Sequence, residues 1–165
     1  MVWLRLVHIV AGIVWVGSAV FAALFLFPAA RAAGVDGRRF LERLTPRMGP
    51  AMGILMLLTV IPGFIMYGRL SGGFNRAWLT SQPGLTLAVG AVATLLAVAI
   101  GIATNAPAGA KTARLRKAID SQGGTATAAQ AAELSALQAR IERGGQVAAA
   151  LLLIAAGAMA VARYL

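Results

Sequence analysis

Four long apolar stretches decide what this chain can fold into. They cover roughly 2–27, 51–67, 84–104 and 146–164, and none of them holds an acidic residue. Each approaches the ~20 residues that a helix needs to cross the hydrocarbon core of a bilayer. No water satisfies backbone polar groups in that core, so apolar stretches of this length must be helices. The chain is 59% hydrophobic and only 12% charged, whereas soluble domains are about a quarter charged. The expected architecture is all-α: a polytopic membrane protein, one domain over residues 1–165, with four transmembrane helices in an up-down bundle. The first stretch is far longer than the ~7–15-residue core of a signal peptide. It therefore reads as a retained span despite the small residues at Ala30-Arg31-Ala32.

The charges orient the bundle. Arg31, Arg38, Arg39, Arg43 and Arg47 lie between spans one and two. Lys111, Arg114, Arg116, Lys117, Arg140 and Arg143 lie between spans three and four. Only Arg5, Arg69, Arg76 and Arg163 fall on the other side. The positive-inside rule puts the basic loops in the cytoplasm and both termini outside. Trp3, Trp78 and Tyr164 then occupy outer helix ends, where an aromatic belt is expected. The same rule accounts for the net charge of +10, so nucleic acid is not an expected partner and the lipid bilayer is.

The basic segments carry their own patterns. Gly37 to Thr45 reads as a short amphipathic helix on the inner surface, ended by Pro46 and Pro50. Lys111 to Asp120 is helix-prone, Gln122-Gly123-Gly124-Thr125 is a turn, and Thr127-x-x-Gln130 is a capping box. Leu134, Leu137 and Ile141 follow as a narrow apolar stripe. Helices three and four are thus expected to extend past the membrane and pair as a cytoplasmic hairpin, loosened at the surface by Gly144-Gly145. Within the bilayer, Ala93, Ala97 and Gly101 in span three, and Ala156 and Ala160 in span four, form small-residue rows that admit close helix approach. Pro62-Gly63 should kink span two and free the carbonyl of Leu58.

One residue is out of place in this apolar setting. His8 is the only histidine and lies inside span one. A titratable side chain there is costly and marks a candidate functional site. Residues seven apart on a helix share a face, which groups His8 with Gly12 and Trp15, with Arg5 one turn toward the outside. This face suits a large flat ligand such as haem. His8 would be the axial iron ligand, Arg5 a partner for propionates, Gly12 a gap for the macrocycle or a neighbouring helix, and Trp15 a ring-edge contact. The alternative is structural: the histidine bonds across helices, the arginine snorkels, and Gly12 and Trp15 pack.

No second histidine and no cysteine exists to complete an iron site. By depth, Met159 and Met66 are the candidate sixth ligands, whereas Met48, Met52 and Met56 lie on the inner half. A five-coordinate site or ligation across a homodimer remains open. All five acids lie in the basic segments, so the spans hold no acid/base pair and no proton relay, and autonomous catalysis is hard to build.

The run Trp3-Leu4-Arg5-Leu6-Val7-His8-Ile9, with Trp15-x-Gly17 and Pro28-x-x-Arg31, resembles the first helix of two related bacterial membrane families. These are the copper-resistance D-type membrane domain and the membrane-bound, haem-associated protoporphyrinogen oxidases. The resemblance covers about thirty residues of the 165. It implies the bacterial inner membrane as location and His8 as a haem ligand, with Arg5 as the basic residue three positions before it. The single histidine, and Phe27-Pro28-Ala29-Ala30-Arg31 in place of a tighter Leu-Pro-Arg, depart from the oxidase pattern and weigh against porphyrinogen oxidation. Copper passage usually needs clustered soft ligands, which are missing. The expected function is a b-type haem-binding membrane protein in electron transfer. The alternative is a non-catalytic subunit of a larger respiratory or photosynthetic complex, and a weaker one is a porphyrinogen oxidase-like enzyme.

Overall fold

The computed structural model describes residues 1–165, and every regular element in it is helical. Helix α1 (Val2–Phe21) passes through a π-helical turn (Ala22–Leu26) into α2 (Phe27–Ala32). Helix α3 spans Gly34–Leu70, and a four-residue helix α4 spans Arg76–Leu79. Helix α5 (Gln82–Ile100) passes through a second π-helical turn (Gly101–Asn105) into α6 (Ala106–Ser121). Helix α7 (Ala128–Val161) ends in a turn of 3-10 helix. Joined across the π turns, these make four helices long and apolar enough to cross a membrane: Val2–Ala32, Gly34–Leu70, Gln82–Ser121 and Ala128–Tyr164.

The lengths have a direct consequence. At 1.5 Å rise per residue, a helix of about 37 residues is roughly 55 Å long, nearly twice the ~30 Å hydrocarbon core. The overhangs are α2 with the first half of α3, then α6, then the first half of α7. Ion pairs tie them to one another at one end of the molecule: Glu42 to Arg116 at 3.2 Å, Lys111 to Glu133 at 2.6 Å, and Arg31 to Glu142. The α7 overhang starts on the expected capping box, with Thr127 and Gln130 bonding each other's backbone reciprocally.

The expected surface helix ending at Pro46 does not exist as a separate element. Helix α3 runs unbroken through Pro46, Pro50 and Pro62. Prolines 46 and 50 are four apart, so their missing N–H donors fall on one exposed face. The buried face is anchored instead, by Leu41 in the core and by Gly37, where a Cβ would overlap the Ala30 carbonyl. Tertiary packing here overrides the local cost of proline.

The helices form two tight pairs. Helix α3 packs on α1, α5 packs on α7, and contact between α1 and α7 joins the pairs, while α3 scarcely approaches α5. Trp15 fills the space where the four meet. It forms a cluster with Ala97 of α5 and Leu152 of α7, covered by Met52, Leu55, Met56 and Val60 of α3. The α5–α7 approach is close because Gly90 has no side chain: a Cβ there would sit 3.3 Å from the Ala155 carbonyl. On α5 the buried row is Gly90, Ala93, Thr94 and Ala97, which holds two of the three expected small residues; Gly101 instead opens the second π turn, with nothing within 4 Å of an added Cβ. On α7 it is Ala149, Leu152 and Ala155, while Ala156 and Ala160 face outward. Leu152, as the large residue meeting Trp15, sets the rotation of α7. A run rich in alanine carries no phase of its own.

Candidate functional site around His8

The face of α1 that turns inward is Leu4, His8, Ala11, Gly12 and Trp15. His8 meets α3 at the point where that helix is thinnest. The imidazole meets Gly63 with its Cε1–Nδ1 edge: a Cβ added there would fall 2.8 Å from His8 Cε1 and 2.9 Å from Nδ1, but 3.8 Å from Nε2. His8 Nδ1 is 2.7 Å from the main-chain carbonyl of Thr59. A carbonyl can only accept, so Nδ1 carries the proton and donates. In the neutral ring the lone pair is then on Nε2, which makes no hydrogen bond within the chain.

The acceptor on α3 is Thr59, not Leu58, the carbonyl that Pro62 orphans by sequence. Thr59 also donates its hydroxyl to Leu55 O at 2.7 Å, so its side chain is satisfied within α3 while its carbonyl accepts from His8. Pro62 itself is buried beside Gly63. The missing side chain of Gly63 leaves the space that the imidazole edge occupies.

The other expected site residues separate into three places. Gly12 stands one turn below His8, and the gap it leaves is taken by Thr59, whose Cγ2 would be 3.5 Å from an added Cβ. Trp15 is in the central cluster. Arg5 is exposed one turn above His8. Met66 is half-buried on α3, three residues past Gly63 and so on the face that receives His8. Met159 belongs to the α5–α7 interface, with its Cγ against Gly90. His8, Gly12 and Met66 therefore share the α1–α3 interface, and Met159 does not.

Nowhere do three or more His, Cys, Asp or Glu side chains gather as a metal cage. A lone neutral imidazole is a poor host for a free ion. It is a sufficient axial ligand for iron already held by four porphyrin nitrogens. A metal-ligating histidine usually donates its other ring N–H to a carbonyl or carboxylate, which fixes the tautomer. His8 has that arrangement with Thr59, so its donor chemistry fits haem.

A second polar region, at the overhanging end, carries no motif that marks it as a unit in the sequence. Glu142 is buried, pairs with Arg31 of α2, and accepts from Gln138 Nε2 at 3.3 Å. Gly144 admits the Asn105 side chain, with Thr104 Oγ1 3.0 Å from where a Cβ would be, and Gly145 lies against Phe27. Helix α7 is continuous through both glycines. Their missing side chains let two neighbouring segments reach the α7 backbone, Thr104 and Asn105 of the second π turn at Gly144 and Phe27 at the start of α2 at Gly145. Burial pushes the Arg116 guanidinium below the ordinary arginine value, and the Asp120 carboxylate partly opposes this. The only sequence signal for this region was the confinement of every acid to the basic segments.

Comparison with protein-family models, with curated proteins and with solved structures found no match to the chain.

Proposed function

We propose that this is an integral membrane protein that binds haem b through His8 Nε2 and takes part in electron transfer. The observation that carries the reading is the Nδ1–H···O=C bond to Thr59, which holds an otherwise isolated imidazole with its lone pair on Nε2. Bound haem would supply one-electron redox chemistry. The chain's own contribution would be to hold the imidazole against Gly63, to offer Arg5 to propionate carboxylates and the Met66 thioether as a further donor, and to exclude water with apolar neighbours. Gly12 and Trp15 would support the site from behind by keeping α3 close and filling the centre. In this reading the overhangs, including the paired α6 and α7, are cytoplasmic, both termini are outside, and the host membrane is the bacterial inner membrane. The basic residues of the overhangs support that orientation. The absorption spectrum of protein purified in mild detergent tests the reading: a Soret band that is lost in His8→Ala is expected, and its absence from the unaltered protein overturns it.

The second reading is an accessory subunit of a larger membrane complex. It is favoured by a groove of about 390 Å³ between α5 and α7, lined only by apolar residues including Leu85, Val92, Leu96 and Ile154. Co-purification of other chains after gentle extraction separates it from a free-standing haem protein.

A further inference from the structure

An open cleft of about 580 Å³ lies between α7 and the second π turn, lined by Ile100, Thr104, Arg140, Arg143, Gly144 and Val147 among others. Its α7 wall is a single stripe, because positions 140, 143, 144 and 147 follow helical spacing. Its opposite wall, Ile100 and Thr104, is one turn of α5 and the π segment. The cleft has two characters along its length. Ile100 and Val147 belong to the apolar stretches, and Arg140 and Arg143 lie within the two turns of α7 before its apolar stretch begins at 146; in the orientation proposed above, that is where a bilayer gives way to headgroups.

The two arginines are exposed and have no carboxylate partner. The nearby acids are committed elsewhere: Glu142 to Arg31, Glu133 to Lys111, Glu42 to Arg116 and Asp36 to Arg39. Asp120, the fifth, lies one turn from Arg116 and faces it. The Thr104 hydroxyl, 2.6 Å from the Ile100 carbonyl and 3.0 Å from Asn105 Oδ1, spends its single proton on these neighbours. Two guanidinium forks above an apolar floor therefore await an amphiphile with an anionic head. Phosphate oxygens match the guanidinium fork in pairs, and basic pockets between helices at the cytoplasmic surface suit anionic lipid headgroups.

We infer that this cleft binds the phosphate of an anionic phospholipid, with Arg140 and Arg143 on the headgroup and the first acyl carbons along Ile100 and Val147. A free phosphate anion shares the head chemistry but gains nothing from the apolar floor.

The test uses the full chain in non-ionic detergent, titrated with short-chain phosphatidylglycerol, with phosphatidylcholine of the same tails, and with inorganic phosphate. Binding is read by native mass spectrometry and by the thermal midpoint. Phosphatidylglycerol should bind and raise the midpoint, and Arg140→Gln with Arg143→Gln should weaken it by about tenfold or more, from the usual worth of two basic residues at an anionic surface. The exposed, unpaired pair Arg38 and Arg47 is the control: R38Q with R47Q should leave binding unchanged. Equal loss in both double variants would show general surface charge and overturn the site. Equal binding of phosphatidylcholine would overturn it as well. Protection by inorganic phosphate equal to that by the lipid would make the occupant a free anion and overturn the lipid assignment.

Discussion

His8 and Thr59, fifty-one residues apart, are joined by a 2.7 Å hydrogen bond from Nδ1 to a main-chain carbonyl. In a lipid setting such a bond contributes only about 0.6–2 kcal/mol, because the separated helices find other partners. Its larger consequence is chemical. It chooses the tautomer, and with it which nitrogen faces a ligand.

Asparagine separates the two roles of His8. Its amide nitrogen can stand where Nδ1 stands and donate to Thr59, but it has nothing in place of Nε2. His8→Asn should retain helix packing, with a thermal midpoint close to that of the parent, and lose any haem spectrum completely. His8→Ala should lose the spectrum and also about 1 kcal/mol or more of stability. Equal stability of the two variants would show that the bond to Thr59 contributes nothing to the fold.

Gly63 should be nearly as sensitive as His8 itself. A methyl group there falls within 3 Å of two ring atoms, so the imidazole must rotate or α1 must move away from α3. Gly63→Ala is expected to cost about 1–3 kcal/mol, as overpacking does, although alanine is the better helix former. In the haem-loaded protein it should shift or abolish the Soret band. A gain in stability would mean that the ring is not seated on this glycine.

The sequence showed the four apolar helices, the capping box at Thr127 and the Ala93–Ala97 row, because length, cap chemistry and small-residue spacing are local signals. It also put His8 and Gly12 on one face. It could not show which neighbour that face meets, since pairing α1 with α3 depends on how Trp15 fills the centre. It misread Pro46 and Pro50 as a break because proline's cost is local and the compensating contacts, Gly37 on Ala30 and buried Leu41, are not. The phase of α7 was lost for a related reason: alanines on every side give helical periodicity nothing to detect.

Glu142 and Arg31 should behave asymmetrically. The carboxylate is buried and the guanidinium largely exposed, at 8% and 70% side-chain accessibility. Arg31→Ala leaves a buried carboxylate with only Gln138, and should cost about 1–2 kcal/mol after allowance for solvent screening. Glu142→Gln removes the charge while preserving shape and hydrogen-bonding atoms, and should cost less. Thermal melts in detergent decide the order. A milder effect from Arg31→Ala than from Glu142→Gln would show that the pair does not hold α2 to α7.

Gly144 and Asn105 should couple. A Cβ at position 144 overlaps the Asn105 amide oxygen, so Gly144→Ala is expected to destabilise by about 1–3 kcal/mol. Asn105→Ala removes the obstructing group. Combined, the two substitutions should cost clearly less than their sum, with a coupling of about 0.5–3 kcal/mol, as for residues in direct contact. Simple additivity would place the Asn105 side chain away from α7.

The continuity of α3 through Pro46 and Pro50 can be measured as a length. The chain has no cysteine, so cysteines introduced at Arg39 and Ile54, both exposed, can be spin-labelled without background. Fifteen residues of unbroken helix put the two backbone positions about 22 Å apart, and the distribution should be narrow. A surface helix ending at Pro46 would bring a bend between the labels and broaden or shift it. Pro46→Ala with Pro50→Ala sharpens the test. In a continuous helix it restores two backbone donors and removes the proline penalty, up to about 3 kcal/mol each, so the melting temperature should rise while the label distance stays the same. If the prolines instead break the chain, removing them should change the distance as well, as the bend becomes helix.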